Sequence, residues 1–444
     1  MRKVLFIIVL LLNITILLHA QQADEKIGNL ISQAIWFELQ REYTIYKDSL
    51  SPFIHDFACS LLSYYFNEPD APEKLSDMMN KHGQMLDYNS QLSYGYFIHS
   101  CYARMGQNKA AAVVLSDIMK QLEGHLDENM QLEYTDMLKS YQVLANEGEI
   151  LQVQRPNKDV IIPITVDSVG KYKQKAIHLN AQINGKAQQF QLDTGAGHSV
   201  VSPEMAKECN MRIIRDSIRV GGLKIGYGQL AIADTFSIGD ITIHKVPFLV
   251  LNMKTNNAAA DSFMNSLQSL IGADLLVRLE EININFDSLQ IKIPQKTTPN
   301  PFGHSNLRFN NEHLWTIEVT NGTENLSMHF DCGATGSSLT EKYFKEHQNQ
   351  IEQTGKQDTV RIAGFGGVMK KDIYKLPNFC VSIDSLEACL PEIFVYIDRD
   401  SDVPNVVANE DGWFGMDLFY SYGNVLINLK DMYVKTTPKK QTDG

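Results

Sequence analysis

The chain has little that would tie it to a membrane, a polyanion or a covalent framework. Its 444 residues hold one long apolar run, Val4 to Leu18, broken by Asn13 and Thr15 and preceded by Arg2 and Lys3. The run is shorter than the ~20 apolar residues that span a bilayer, and it ends at Ala20 before Gln21-Gln22. Residues 1–20 therefore read as a secretory signal, with a retained anchor as the rival. No later segment is apolar enough to span and no cysteine follows the cleavage point to carry a lipid, so export to the periplasm, cell surface or medium is expected. Basic residues are in deficit, 40 Lys and Arg against 52 Asp and Glu, which leaves no patch for nucleic acid. Six cysteines are too few for a disulfide scaffold at this length. Only Cys380 and Cys389 are placed to pair, facing each other if Asp384-Ser385 forms a two-residue turn. Whether they do is left open.

Glycine, proline and strand-like alternation are scarce in the apolar segments of residues 25 to 148, where helical spacing prevails. An all-helical domain over 21–150 is expected. Leu75-Ser76-Asp77-Met78-Met79 recurs forty residues on as Leu115-Ser116-Asp117-Ile118-Met119, and Ala58-Cys59-Ser60 has a counterpart near Ser100-Cys101-Tyr102. Such a period implies stacked helical hairpins. The second copy resembles a tetratricopeptide repeat over Tyr102, Gly106, Ala111 and Leu115, although the first copy lacks most of those residues. Cys59 and Cys101 fall at equivalent positions and read as buried free thiols.

Polar Gln154 to Asp159 reads as a join, and beyond it the period becomes two, as in Ala176 to Ile183 before the turn Asn184-Gly185. Gln295 to Pro301 reads as a linker between two β-rich stretches, 160–295 and 303–437. The two stretches are copies of one another. Asp193-Thr194-Gly195-Ala196 returns 138 residues on as Asp331-Cys332-Gly333-Ala334, and Asp216 to Val220 returns after 142 as Asp358 to Ile362. Gly272-Ala273-Asp274 returns after 143 as Gly415-Met416-Asp417. Order and spacing imply a tandem duplication.

Over residues 160 to 436 these motifs resemble the aspartic proteases, with retropepsin-like lobes fused in one chain as in pepsin-like enzymes. Each lobe of that family carries Asp-Thr/Ser-Gly on a turn and, later, two apolar residues and a glycine passing beneath it. Here these are Asp193-Thr194-Gly195 with Leu270-Ile271-Gly272, and Asp331-Cys332-Gly333 with Trp413-Phe414-Gly415. The resemblance implies an all-β bilobed acid-protease fold of two barrel-like lobes, preceded by the all-α helical-hairpin domain. It implies catalytic Asp193 and Asp331, supported by Thr194, Gly195, Cys332, Gly333, Gly272 and Gly415. It also implies glycine-tipped flap hairpins over the cleft, from Val220 through Gly221 and Gly222 to Gly228, with Tyr227 capping the cleft, and through Gly364 and Gly366. Plain surface turns are the rival reading of both segments.

The residue types suit the chemistry. Two carboxylates a few Å apart cannot both ionise, so one serves as base on a water while the other, protonated, supports the substrate carbonyl. No metal, cofactor or covalent intermediate is required. Glycine beneath each turn is expected to let backbone N–H groups reach the carboxylates. In the family the residue after each aspartate hydrogen-bonds across to the other lobe; Thr194 has the hydroxyl, whereas Cys332 offers a weaker thiol donor. No His or Asn is positioned by a motif to make Cys332 a nucleophile. Ala196 and Ala334 stand where pepsin-like enzymes tend to place Ser or Thr. Loss of that hydrogen bond raises the pair's pKa and implies hydrolysis at weakly acidic to near-neutral pH. His198 has no counterpart in the second copy and reads as structural or solvent-facing; Asp274 and Asp417 read as structural. The expected function is an exported aspartic endopeptidase, a monomer acting on an extended peptide or protein, with no nucleic-acid partner. Two alternatives stand beside it: a weak or inactive peptide-binding protein on this scaffold, and a scaffold whose helical domain binds protein partners. The enzyme reading lets a chain beginning near residue 155 keep activity.

Overall fold

The computed structural model describes residues 21–169, 174–221, 225–252, 269–322, 324–364, 367–397 and 409–440. The signal expected over residues 1–20, Gly222 and Gly366 lie outside the described residues. A helical region runs from residue 21 to 146: a helical segment over 21–32, then Trp36–Tyr46, Pro52–Tyr65, Ala71–His82, Tyr88–Arg104, Asn108–Gln121 and Glu128–Asn146. Proline in the first turn starts the helices at Pro52 and Ala71, where a missing N–H costs nothing. Asp87 and Asp127 cap their helices by accepting the Ser90 and Met130 amides. Leu75 and Leu115, the repeated apolar position, are both fully buried. Gly95 permits close helix packing, since a Cβ there would lie 2.8 Å from Ile118 Cγ1. Cys101 is a buried thiol, as expected, whereas Cys59, beside Tyr43, is only partly buried. Among the described residues no helix is long and apolar enough to cross a membrane.

Strands begin earlier than the change of period suggests. Gln152–Gln154 pairs with Thr242–His244, a strand too short for alternation to register. Val160–Val169, Gln174–Ile183 and Lys186–Leu192 then form a meander, turning at Asn184-Gly185 with both φ angles positive. Lys186–Leu192 is flanked in parallel by Ser269–Ile271. The same pattern recurs further on: Trp315–Asn321 pairs with Glu324–Phe330, which is flanked in parallel by Gly412–Phe414. Each sheet ends in a long antiparallel set, Arg212–Val220, Gly226–Ile238 and Ile241–Val250 in one, Lys356–Gly364, Gly367–Ile383 and Leu386–Tyr396 in the other. Cys380 and Cys389 are register partners in the last hairpin and are joined as a disulfide.

Two features of packing tie the parts together. The C-terminal hairpin Asn424–Asn428/Tyr433–Thr437 crosses to Glu281–Asn285 of the first stretch, with Ile427 opposite Ile282. The helical region also docks on residues 305–318: Tyr65 Oη donates to Asn311 Oδ1 at 2.8 Å, Arg41 pairs with Glu318, and the Arg308 guanidinium lies 5.3 Å from the Phe37 ring centroid. One apolar core runs without a break from Phe37, Tyr65 and Leu75 into Phe190, Phe309 and Phe330.

Candidate active site

Each aspartate leaves the end of a strand that the apolar alternation buries: Phe190 and Leu192 before Asp193, Met328 and Phe330 before Asp331. The strand amides are then spent on the neighbour, since Asp193 N donates to Ile271 O at 3.1 Å and Asp331 N to Phe414 O at 3.0 Å. The chain turns so that the next amides point back at the carboxylate. Asp193 Oδ1 accepts from the Gly195 and Ala196 N–H groups at 2.9 and 3.0 Å, and Asp331 Oδ1 accepts from Gly333 and Ala334 at 2.8 and 2.9 Å.

The two turns face each other. A methyl group on Gly195 would lie 2.2 Å from Asp331 Cγ, and one on Gly333 would lie 2.2 Å from Asp193 Oδ1. Each carboxylate thus rests on the other turn's glycine, where any side chain would displace it. Burial first, and then the charge of Asp331, hold the Asp193 carboxyl well above the ordinary carboxylate range. The amides of Gly195 and Ala196 oppose that shift without cancelling it.

Thr194 and Cys332 link the turns. Thr194 Oγ1 donates to Phe330 O at 2.8 Å and accepts the Cys332 N–H at 2.8 Å, while Cys332 Sγ donates to Leu192 O at 3.3 Å. The thiol therefore makes the bond reciprocal to that of the hydroxyl, at the longer reach sulfur requires. Burial, and next the charge of Asp193, push the Cys332 thiol far above its usual pKa, so it stays protonated as a donor.

The downstream glycines do not work as their spacing suggests. Gly272 passes under the far side of its turn, where a Cβ would meet His198 C and Ala196 O at 2.6 and 2.7 Å, and Gly415 does the same at Gly336. Their amides reach Ser199 Oγ and Ser337 Oγ, not the carboxylates, because the turns' own N–H groups already fill that place. The two serines are held in turn: Ser199 Oγ donates to Asp274 Oδ1 at 2.7 Å and Ser337 Oγ to Asp417 Oδ1. Ser199 and Ser337 escaped sequence reasoning, although their equal distance from each aspartate was a usable signal.

His329 and Gln191 were also missed. Both are buried, and each stands two residues before an aspartate, on the same strand face as the carboxylate. His329 Nε2 lies 3.9 Å from Asp331 Oδ2. A polar residue within each apolar run was the signal. His198 is largely exposed, 3.7 Å from Asp274.

The hairpin glycines divide. Gly221 is exposed at the end of its strand and Gly364 pairs with Gly367. Tyr227 pairs with Arg219 across the first hairpin and is 72% exposed. Gly228, at the end of the segment read as a flap, is a packing position: a Cβ there would lie 2.3 Å from Leu251 Cδ2 and 2.9 Å from Val250 O.

Residues 179–278 match the family model described as gag-polyprotein putative aspartyl protease. The match covers Asp193 to Gly195, the first hairpin and Gly272, and ends before Asp331. No curated protein matches the chain. The molecule is thus an N-terminal helical region followed by a β-rich region that carries an aspartyl protease-like domain.

Proposed function

We propose that this chain is an exported aspartic endopeptidase, built from two related lobes, that hydrolyses peptide bonds through a water activated by Asp193 and Asp331. The reading rests on one observation above the others, the reciprocal seating of each carboxylate on the opposite turn's glycine. The repeated strand order around each aspartate and the leader sequence support the two lobes and export respectively. In the reaction, the ionised carboxylate takes a proton from water as the water oxygen bonds to the substrate carbonyl carbon. The protonated partner gives its proton to the carbonyl oxygen. As the tetrahedral diol collapses, the newly ionised carboxylate takes a hydroxyl proton from it while the other carboxyl protonates the nitrogen; the C–N bond breaks, acid and amine are released, and the pair keeps its one proton. The proton that matters belongs to the pair, and activity ends when the pair loses it.

Because burial and Asp331 hold the Asp193 proton on to higher pH, the optimum is expected at weakly acidic to near-neutral pH. A pH profile of purified enzyme on a peptide mixture that peaks near pH 3 overturns this. Asp193→Asn and Asp331→Asn should each lower kcat/KM by at least about a thousandfold; cleavage surviving in either variant removes the dyad from the reaction.

The longer reach of Cys332 Sγ, 3.3 Å against 2.8 Å for Thr194 Oγ1, supports a second reading, peptide binding without cleavage. It requires that the native chain cleave no peptide and that the two Asn variants bind peptide as it does.

A further inference from the structure

The outer strand of the first hairpin, Arg212–Val220, is the edge of its sheet, and Glu128–Asn146, the last helix of the helical region, lies against it. Register irregularities flank Arg215 on both sides, and Ser217 has a φ of 52°. At this bulge the strand presents Arg215 to the helix. The side chain of Arg215 is 10% exposed, and its guanidinium meets Asp136 Oδ1, the Asp136 carbonyl and Ser140 Oγ. The other carboxylate oxygen of Asp136 accepts the backbone N–H of Arg219 at 3.1 Å. One carboxylate therefore holds a side chain and an edge-strand amide together.

The next residue carries the tie to the dyad. Val220 packs in a small apolar cluster with Val200, Leu251, Leu270 and Ala196, and the Ala196 amide donates to Asp193 Oδ1. At the far end of the strand, Arg212 pairs with Glu147 at the helix terminus. The second hairpin is built differently: the described ion pair of its outer strand, Asp358–Lys375 at 2.8 Å, stays within the hairpin. The helix Glu128–Asn146 has no fully buried residue, so polar ties weigh heavily in holding it against the strand.

We infer that Asp136 is a positioning residue for the proposed protease site, holding the first hairpin against the Asp193 turn, so that the helical region is a working part of the peptide-binding cleft. This rests on the protease reading for its kinetic consequence but not for the tie itself. The test uses the full chain. In Asp136→Ala, amide hydrogen exchange over 215–220 should quicken at least about tenfold while the strands of the other sheet keep their protection. On one peptide drawn from a cleaved decapeptide library, KM should rise at least about fivefold with kcat within about twofold of the native value. Glu346→Gln, which loses an exposed pair with Lys342 away from this hairpin, should change neither. Unchanged exchange and unchanged KM in Asp136→Ala overturn the inference. If that variant unfolds throughout, Asp136→Asn, which keeps the shape and an acceptor but loses the charge, decides by the same two readings. If the native chain cleaves nothing, the protease reading fails, and the exchange measurement alone still decides the tie.

Discussion

At Cys332 a sulfur stands in the place that a hydroxyl takes at Thr194, and it donates to Leu192 O where Thr194 donates to Phe330 O. Removing it leaves a buried carbonyl short of a donor, which costs about 1 to 3 kcal/mol. Cys332→Ala should therefore lower the melting temperature by several degrees, while Cys332→Thr, which restores the hydroxyl, should hold it and keep activity at or above native; thermal melts with a peptide assay check both. Asp193 makes a second residue-scale prediction. Its folded pKa is raised, so the folded state keeps a proton that the unfolded chain gives up. Its contribution to stability is full below the unfolded carboxylate pKa of about 3.9 and is lost as pH rises through the folded value. Asp193→Asn, which mimics the protonated form, should then melt higher than the native chain at pH 7 and level with it near pH 3. Equal melting at both values would contradict the shift. The amino-acid order made Asp193 and Asp331 legible because their motifs repeat. It concealed His329, whose approach to Asp331 Oδ2 is set by the folded turn and not by any local pattern.

Secondary elements followed their local patterns closely where the patterns were long. Helix starts at Pro52, Asp87 and Asp127 lie where proline and capping aspartates stand. Short pieces were lost: Gln152–Gln154 and Val200–Val201 carry too few residues to show a period. The strand Leu307–Phe309 illustrates how an element can be held from both sides. Arg308, 4% exposed, is ion-paired to equally buried Glu410, which also accepts from Thr316 Oγ1 at 2.8 Å. Breaking a buried pair leaves an uncompensated charge, at a cost of about 3 to 5 kcal/mol. Glu410→Ala should move the urea midpoint down by a corresponding amount, far more than Glu346→Ala, whose pair with Lys342 is exposed.

For the whole molecule, the continuous core from Phe37 and Tyr65 into Phe309 and Phe330 argues against separable halves. A chain beginning near residue 155 loses strand Gln152–Gln154, the Tyr65–Asn311 bond and the ring beneath Arg308. It should be less soluble and melt well below the full chain, which itself should unfold in one calorimetric transition; two resolved transitions would show the regions to be independent. A peptide assay on the same shortened chain decides whether activity survives without the helical region, as the enzyme reading allows.

Local periodicity and repetition along the chain establish the helical region, the β-rich region and the pair of turn motifs. Which atoms meet is set by the folded chain: each carboxylate over the opposite glycine, the Cys332 thiol on Leu192, the crossing of Asn424–Asn428 to Glu281–Asn285, and Asp136 on the first hairpin. These contacts join residues that lie far apart in sequence. Their partners are chosen by packing and burial in three dimensions, for which no local pattern exists.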